Sequence, residues 1–411
     1  MLIQIRTGSA DSFVKQIIIR YNSFMRIGID CRLWSESGVG RYIRNLLQEL
    51  AVIDSKNEYV LFIQNIDAQN LKSHPPAGGL NLKSKLEAGK WKIVKVNIKW
   101  HSLDEQIKFP QILNRENLDL MHFPYFSVPI FYNKPFIVTI HDLILDHFPT
   151  GEASTLPLPF YKLKQLGYKF VISRAVKKAK KIITVSNSTK SEIVDHFKVN
   201  PDKVVVTYEG TIENSKVKSQ NSKLQFKIQN LAPKQYFLYV GNAYPHKNLD
   251  RLAQAIEALK PKIPDIKLIL VGKEDYFYKR LKEKVKRKKL EENIIFFGEA
   301  TDEELVSLYK EAKALVFPSL MEGFGLPAIE AMANKCLVLA SDIPAFNEIC
   351  QDSAVYFDPL NVNNISSVLN NVIDGDKVQY SNLIKKGFER VEIFQWKKMA
   401  EETLLVYSSI K

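Results

Sequence analysis

Two carboxylates eight residues apart, Glu322 and Glu330, bracket the run Gly323-Phe324-Gly325-Leu326-Pro327. The glycines permit close backbone approach, and Pro327 suits the first turn of a helix. An apolar segment ends at Phe317 and a helix-like segment starts near Leu326, so the order is strand, loop, helix. Unpaired N–H groups at such a helix start receive an anion such as a diphosphate. Carboxylates make poor phosphate ligands but accept hydrogen bonds from sugar and ribose hydroxyls. The set suits a molecule with a diphosphate in the middle and polyols at both ends. The spacing by itself carries no signal, because Glu283/Glu291, Glu291/Glu299 and Glu303/Glu311 share it in charged helical surroundings. The glycine-rich context makes it specific, and the bland alternative is an ordinary helix start with a solvated Glu330.

Three further pieces fall where strand-like segments end. Val240-Gly241-Asn242-Ala243-Tyr244-Pro245-His246-Lys247 closes one strand, and Lys247 could reach a phosphate as a point charge or remain solvated. Phe136-Ile137-Val138-Thr139-Ile140 reads as a buried strand from which His141 emerges, either toward a ligand or as a satisfied structural histidine. Gly38 and Gly40, in Ser35-Glu36-Ser37-Gly38-Val39-Gly40-Arg41, precede a helix and could cradle a diphosphate. As a dinucleotide fingerprint this loop fails, since no third glycine stands at the required spacing. Asp374-Gly375-Asp376 spells an Asp-x-Asp pattern but reads as a turn, so no metal site is assigned.

Two alternating strand and helix series must hold these residues. The first has strands at Ile27–Cys31, Tyr59–Ile63, Lys92–Val96, Leu120–Phe123, Phe136–Ile140, Lys181–Val185 and Val204–Thr207. A helix from Arg41 to Leu50 carries Ile43, Leu46, Leu47 and Leu50, and Ser188 or a neighbour caps a later one. The second series has strands at Tyr236–Val240, Lys267–Val271, Asn293–Phe297, Ala314–Phe317 and Leu337–Ala340, with helices at Leu249–Leu259 and Glu303–Ala312. The fold expected is α/β, two doubly wound Rossmann-like domains with parallel sheets facing a cleft. Residues 1–24 read as an N-terminal extension, 25–212 as the first domain, 213–233 as a polar linker, 234–391 as the second domain and 392–411 as a C-terminal helix.

The chain has 411 residues, 45% apolar and 25% charged, which excludes whole-chain disorder and fits more than one domain. No apolar run approaches the roughly 20 residues of a membrane-spanning helix. Three cysteines without Cys-x-x-Cys spacing exclude a disulfide framework and fit a reducing cytoplasm. The net charge is +13, with 28 basic and 17 acidic residues in 1–200 against 30 and 28 in the rest. An anionic partner for the first half and a merely soluble surface are both compatible with that excess. Between Tyr161 and Lys181, Leu163, Leu166, Phe170 and Val171 recur at helical spacing among lysines. That helix either lies on anionic lipid or, as the more ordinary reading, turns its apolar face to the core. Nucleic-acid binding lacks an aromatic-interleaved basic motif.

The Glu322 to Glu330 segment resembles the Glu-x7-Glu region of the retaining family 4 glycosyltransferases, and the likeness extends over nearly the whole chain from Met25. It implies the two-domain GT-B fold, with the last helix crossing back to the first domain near Trp396. It implies a nucleotide-sugar donor and no cofactor or metal. Glu322 would contact the donor sugar, Glu330 the ribose, and the backbone of Gly323, Phe324, Gly325 and Leu326 the sugar and diphosphate. His141 would lie near the donor sugar and its phosphate, Gly38 and Gly40 would match the family's N-terminal glycine loop, and Lys247 would meet the phosphates. Where relatives often carry a second cation, this chain has Asn242, and His246 is expected to take part of that role. The Pro-His-Lys-Asn and Thr-Ile-His-Asp-Leu segments resemble mannosyltransferase-like members, which leans the donor toward GDP-mannose while UDP-sugars and rhamnose donors stay open. The implied acceptor is a surface glycan or its lipid-linked precursor, and the implied place is the cytoplasm, peripherally on the inner face of the membrane. A GT-B-like sugar-nucleotide epimerase is the alternative enzyme.

Overall fold

The computed structural model describes residues 24–67, 80–148, 158–211, 234–375 and 377–410. Residues 1–23, the expected linker 213–233 and Asp376 lie outside the described residues. In the first sheet, strands β1 (Arg26–Asp30), β2 (Glu58–Ile63), β3 (Trp91–Lys95), β4 (Leu120–Phe123), β5 (Phe136–Ile140), β6 (Ile182–Thr184) and β7 (Val204–Val206) lie in the order β3-β2-β1-β4-β5-β6-β7. In the second, β8 (Tyr236–Val240), β9 (Lys267–Val271), β10 (Ile294–Gly298), β11 (Ala314–Phe317), β12 (Leu337–Ser341) and β13 (Val355–Phe357) lie in the order β10-β9-β8-β11-β12-β13. Neighbouring strands pair in parallel, for example Ile27 beside Leu120 and Leu315 beside Leu238. Helices cover both faces, which is why β8 and β11 read as unbroken apolar runs rather than alternating ones.

Strand order reverses between β1 and β4 and again between β8 and β11, and a crevice opens beyond the carboxyl ends of strands at such a switch point. The Gly38 loop follows β1, the Lys247 segment follows β8 and the Glu322 loop follows β11, so three of the sequence-marked pieces flank a switch point. The helix Trp396–Ser408 returns to the first sheet, where Trp396, Met399, Ala400, Leu404 and Tyr407 share a core with Ile27, Ile29 and Leu47. Trp396 is buried there and anchors the crossing.

Three expectations change. The glycine loop is shorter than its sequence suggests, because the helix begins at Gly38 and runs to Ile53. Gly40 therefore sits inside the first turn, and a Cβ there would meet the Trp34 and Leu33 carbonyls at 2.5 and 2.7 Å. Its small size serves packing against the preceding loop. The cap of the helix Asn187–Phe197 is Ser186, whose side chain accepts from the Thr189 N–H. The third change is in the helix Leu158–Lys178, where Ile172, Ala175 and Val176 join the core of β5 but Leu163, Leu166 and Phe170 stand 69%, 66% and 60% exposed. Among its described side chains, Ile172, Ala175 and Val176 in the second half form the apolar face turned inward. Among the described residues no helix is long and apolar enough to cross a membrane.

Candidate active site

Strand β8 delivers Lys247 through a short turn, Pro245–Lys247, followed by Asn248 in the left-handed region at φ 61°. The buried Asn248 amide donates to the Pro318 and Pro359 carbonyls at 3.0 and 2.7 Å, tying this turn to the loop after β11. The Lys247 ammonium then donates to Glu322 Oε1 at 2.5 Å, and the Ser319 hydroxyl donates to the same oxygen at 2.7 Å. Both side chains are largely shielded, at 14% and 9% exposure. A cation and a carboxylate drawn from two adjoining strand ends are thus held together in a site where water screens weakly.

The rest of the loop is shaped by close approach to the first domain. A Cβ on Gly323 would overlap the His141 carbonyl oxygen and lie 3.2 Å from Asp142 Cβ. The Ser186 hydroxyl donates to the Gly323 carbonyl at 2.6 Å. Gly325 caps the helix Leu326–Ala333 at φ 101°, where an L side chain is strained and a Cβ would meet Phe346 at 2.7 Å. The Phe324 ring is buried edge-on against Phe394, so Phe324 offers the cleft its backbone. A second contact between the halves comes from Glu348, which accepts from the Asn187 and Ser188 N–H groups at 2.7 and 2.8 Å at the start of a first-domain helix.

Glu330 is buried and meets two partners that sequence reasoning missed. Its Oε1 accepts from the Arg41 guanidinium of the first domain, and its Oε2 from the Tyr309 hydroxyl at 2.9 Å. Arg41 also pairs with Asp302 at 3.0 Å. A small opening beside them is lined by Arg41, Thr211, Asp302, Tyr309, Glu330 and Asn334. Arg41 directly follows the glycine loop and could have been singled out there; Tyr309 gives no local signal.

His141 stands at the end of β5 with Nε2 3.0 Å from the Pro124 carbonyl and Nδ1 3.4 Å from Glu209 Oε1. Burial pushes the neighbouring Asp142 carboxyl above the usual carboxylate range. The Ile144 N–H, His141 and Lys247 oppose that shift, and Glu322 adds to it. The structure thus brings His141, Asp142, Lys247, Glu322 and Gly323 to one place, with Glu330 on the same helix–loop unit. Asn242 shapes its own turn, accepting from the Tyr239 hydroxyl on its carbonyl at 2.6 Å.

His246, expected to take part of a second cation's role, is buried. Burial, and then the Lys247 ammonium, push its pKa down to about 3, so it is neutral near pH 7 and brings no second positive charge. Asp374 ends the helix Val362–Asp374 and accepts from Asn370. Among the described residues no three His, Cys, Asp or Glu side chains gather as a metal site.

The model for glycosyl transferases group 1 matches residues 221–390, and that for glycosyltransferase family 4 matches residues 37–212. The O-antigen chain mannosyltransferase RfbU of Salmonella typhimurium is 31% identical over 274 residues, 66% of this chain and 68% of that protein. The O-antigen chain mannosyltransferase B of Escherichia coli is 29% identical over 70% of this chain and 74% of its own. Among solved structures, the sucrose-phosphate synthase of Thermosynechococcus elongatus superposes with a TM-score of 0.74 at 19% identity, over 94% of this chain and 98% of that one. That last likeness is one of fold, and it is the GT-B arrangement of two facing parallel-sheet domains. With its strand ends, its bracketing glutamates and these matches taken together, the chain belongs to the family 4, group 1 glycosyltransferases.

Proposed function

We propose that this glycosyltransferase moves a hexose, with mannose the first choice, from a nucleoside diphosphate sugar to a growing surface glycan or its lipid-linked precursor. The observation that carries the reading is the Lys247–Glu322 pair across the β8 and β11 ends. Glu322 Oε1 is taken by Lys247 and Ser319, and its other oxygen is the acceptor we assign to donor sugar hydroxyls. Glu330 is assigned to the ribose, which would displace Arg41 from it. The family's relation to two O-antigen mannosyltransferases supports the donor and the class of acceptor. Matches to transferases disfavour the epimerase alternative.

In the reaction, the bond from the anomeric carbon to the diphosphate oxygen breaks and its electron pair leaves with the nucleoside diphosphate. An acceptor hydroxyl oxygen bonds to the same face of the sugar, and its proton passes to the departing phosphate oxygen. Charge grows on the diphosphate, and Lys247 with the amides at the start of Leu326–Ala333 meets it. Closure of the halves at Gly323 and Ser186 would exclude water from the sugar cation. A thermal-shift screen of GDP, UDP, ADP and dTDP sugars, each with and without EDTA, tests this. GDP-mannose at a hundredfold excess over Kd should stabilise the protein by about 2.7 kcal/mol, with the shift unchanged by EDTA. Stabilisation by none of the sugars, or its loss on chelation, would overturn the reading.

For the acceptor side, we assign the exposed Leu163, Leu166 and Phe170, with Lys162, Lys164 and Lys169 beside them, to the surface of an anionic bilayer. Each buried apolar side chain is worth about 1.5–3 kcal/mol and each basic residue about 1 kcal/mol near such a surface. Leu163→Glu with Phe170→Glu should lower sedimentation with phosphatidylglycerol vesicles by at least about tenfold. Equal sedimentation of wild type and variant would remove the assignment.

A further inference from the structure

Glu209 follows β7 in a stretch with no motif, yet its carboxylate is buried against the His141 ring. The two nitrogens of that ring face a carboxylate and a carbonyl, Glu209 Oε1 at 3.4 Å from Nδ1 and the Pro124 carbonyl at 3.0 Å from Nε2, and an ionised carboxylate, like a carbonyl, only accepts. Beside an ionised Glu209, both contacts are satisfied together when both nitrogens carry a proton. A neutral ring would turn a lone pair toward one of the two oxygens.

A second buried histidine one strand away makes the contrast. His122 on β4 has the Tyr407 hydroxyl at 2.7 Å and the Thr139 hydroxyl at 2.8 Å, and a hydroxyl can donate or accept. Neutral His122 is therefore satisfied, and burial followed by the charge on His141 push its pKa down to about 3. At His141, burial also favours the neutral ring, but the Glu209 hydrogen bond and charge, the Pro124 carbonyl and Asp142 outweigh it, and its pKa stands above the usual histidine value.

We propose that Glu209 is a positioning residue for transfer: it holds His141 as a doubly protonated imidazolium at the end of β5, and the charge so fixed sets the alkaline limit of the reaction. The inference rests on the assignment of His141 to the donor cleft. The other groups facing the ring are accounted for. Tyr42, from the helix Gly38–Ile53, lies edge-on at 5.0 Å and 87°, and burial keeps its phenol protonated. Asp142 is adjacent in the chain and itself faces Lys247 and Glu322 across the cleft. His122 is neutral. Glu209 is thus the carboxylate in contact with the ring, and its loss leaves an imidazolium buried beside a carbonyl. The charge on His141 is complete below the ordinary histidine pKa and is lost as pH rises through the raised value. Removing Glu209 should bring that loss to lower pH.

The test uses the full chain as wild type, Glu209→Gln and Glu209→Asp, with two readouts. Ring carbon and nitrogen NMR follows the His141 titration, assigned with His141→Gln. Nucleotide release from GDP-mannose, or from whichever sugar the thermal-shift screen selects, gives kcat and KM from about pH 6 to 9. In Glu209→Gln the His141 titration and the alkaline limb of kcat should both move down by about one unit, with KM for the donor little changed. Glu209→Asp should recover part of both shifts, and it carries the same readouts if the glutamine variant does not fold. An unmoved His141 titration would overturn the proposal, and so would a lowered titration beside an unmoved kcat limb. Failure of the donor assignment is distinguishable, since wild type would then release no nucleotide while its ring titration stayed readable.

Discussion

Lys247→Ala is expected to lower kcat by between about tenfold and a thousandfold, and Glu322→Ala to do the same. The lysine meets the diphosphate as its charge grows, while the carboxylate orients the sugar from the other side of the same pair. They share one hydrogen bond at 2.5 Å in a shielded site, so neither works at its full strength without the other. Removing the ammonium leaves Glu322 with Ser319 as its remaining donor and faces the departing phosphate with an uncompensated carboxylate. For this reason the double variant should lose little more than the worse single one, which is the behaviour of residues acting as a unit. Turnover of released nucleotide at saturating donor is the measurement. Unchanged turnover in both single variants would dismiss the site.

Gly323→Ala is expected to reduce kcat by about a hundredfold while leaving the fold intact. The added methyl would occupy the space of the His141 carbonyl oxygen and crowd Asp142. Those atoms belong to the other half of the molecule, so the clash is relieved by parting the halves rather than by rearranging a core. The Ser186 bond to Gly323 would go with it, and the Lys247–Glu322 pair would no longer face His141 at its present distance. A displacement of about 1 Å suffices for a loss of that size. The checks are kcat, a melting temperature within a few degrees of wild type, and a more open solution shape by small-angle scattering. A variant with wild-type turnover would show that the halves need not meet at this glycine.

How far these features were legible follows from the range of the forces involved. Strands β4, β5, β8, β9 and β11 lie where the amino-acid pattern places them, because a strand covered on both faces is built mostly of apolar residues. β13 was not placed, for Val355, Tyr356 and Phe357 hold a single valine, whereas the equally short edge strand β7 is three consecutive valines. The helix Leu158–Lys178 shows the limit of periodicity. Its apolar spacing is real, yet nothing in it says that Ile172 and Val176 meet the sheet while Leu163 and Phe170 do not.

The site divides in the same way. Glu322, Glu330, Lys247 and His141 could be picked out because each follows a strand and stands beside glycines or a helix start, features written in a few consecutive residues. Their pairings could not. Glu209 on His141, Arg41 and Tyr309 on Glu330, and Glu348 at the start of Asn187–Phe197 are pairings between remote parts of the chain. His246 makes the point most sharply, for its residue type offered a cation and its burial removed one. Local order in the chain determined the elements, the loops at their ends and the chemistry those loops could offer, because backbone geometry and hydrophobic period act over a few residues. Charge state, pairing and the meeting of the two halves were decided only in three dimensions, because they depend on which distant groups exclude water from one another.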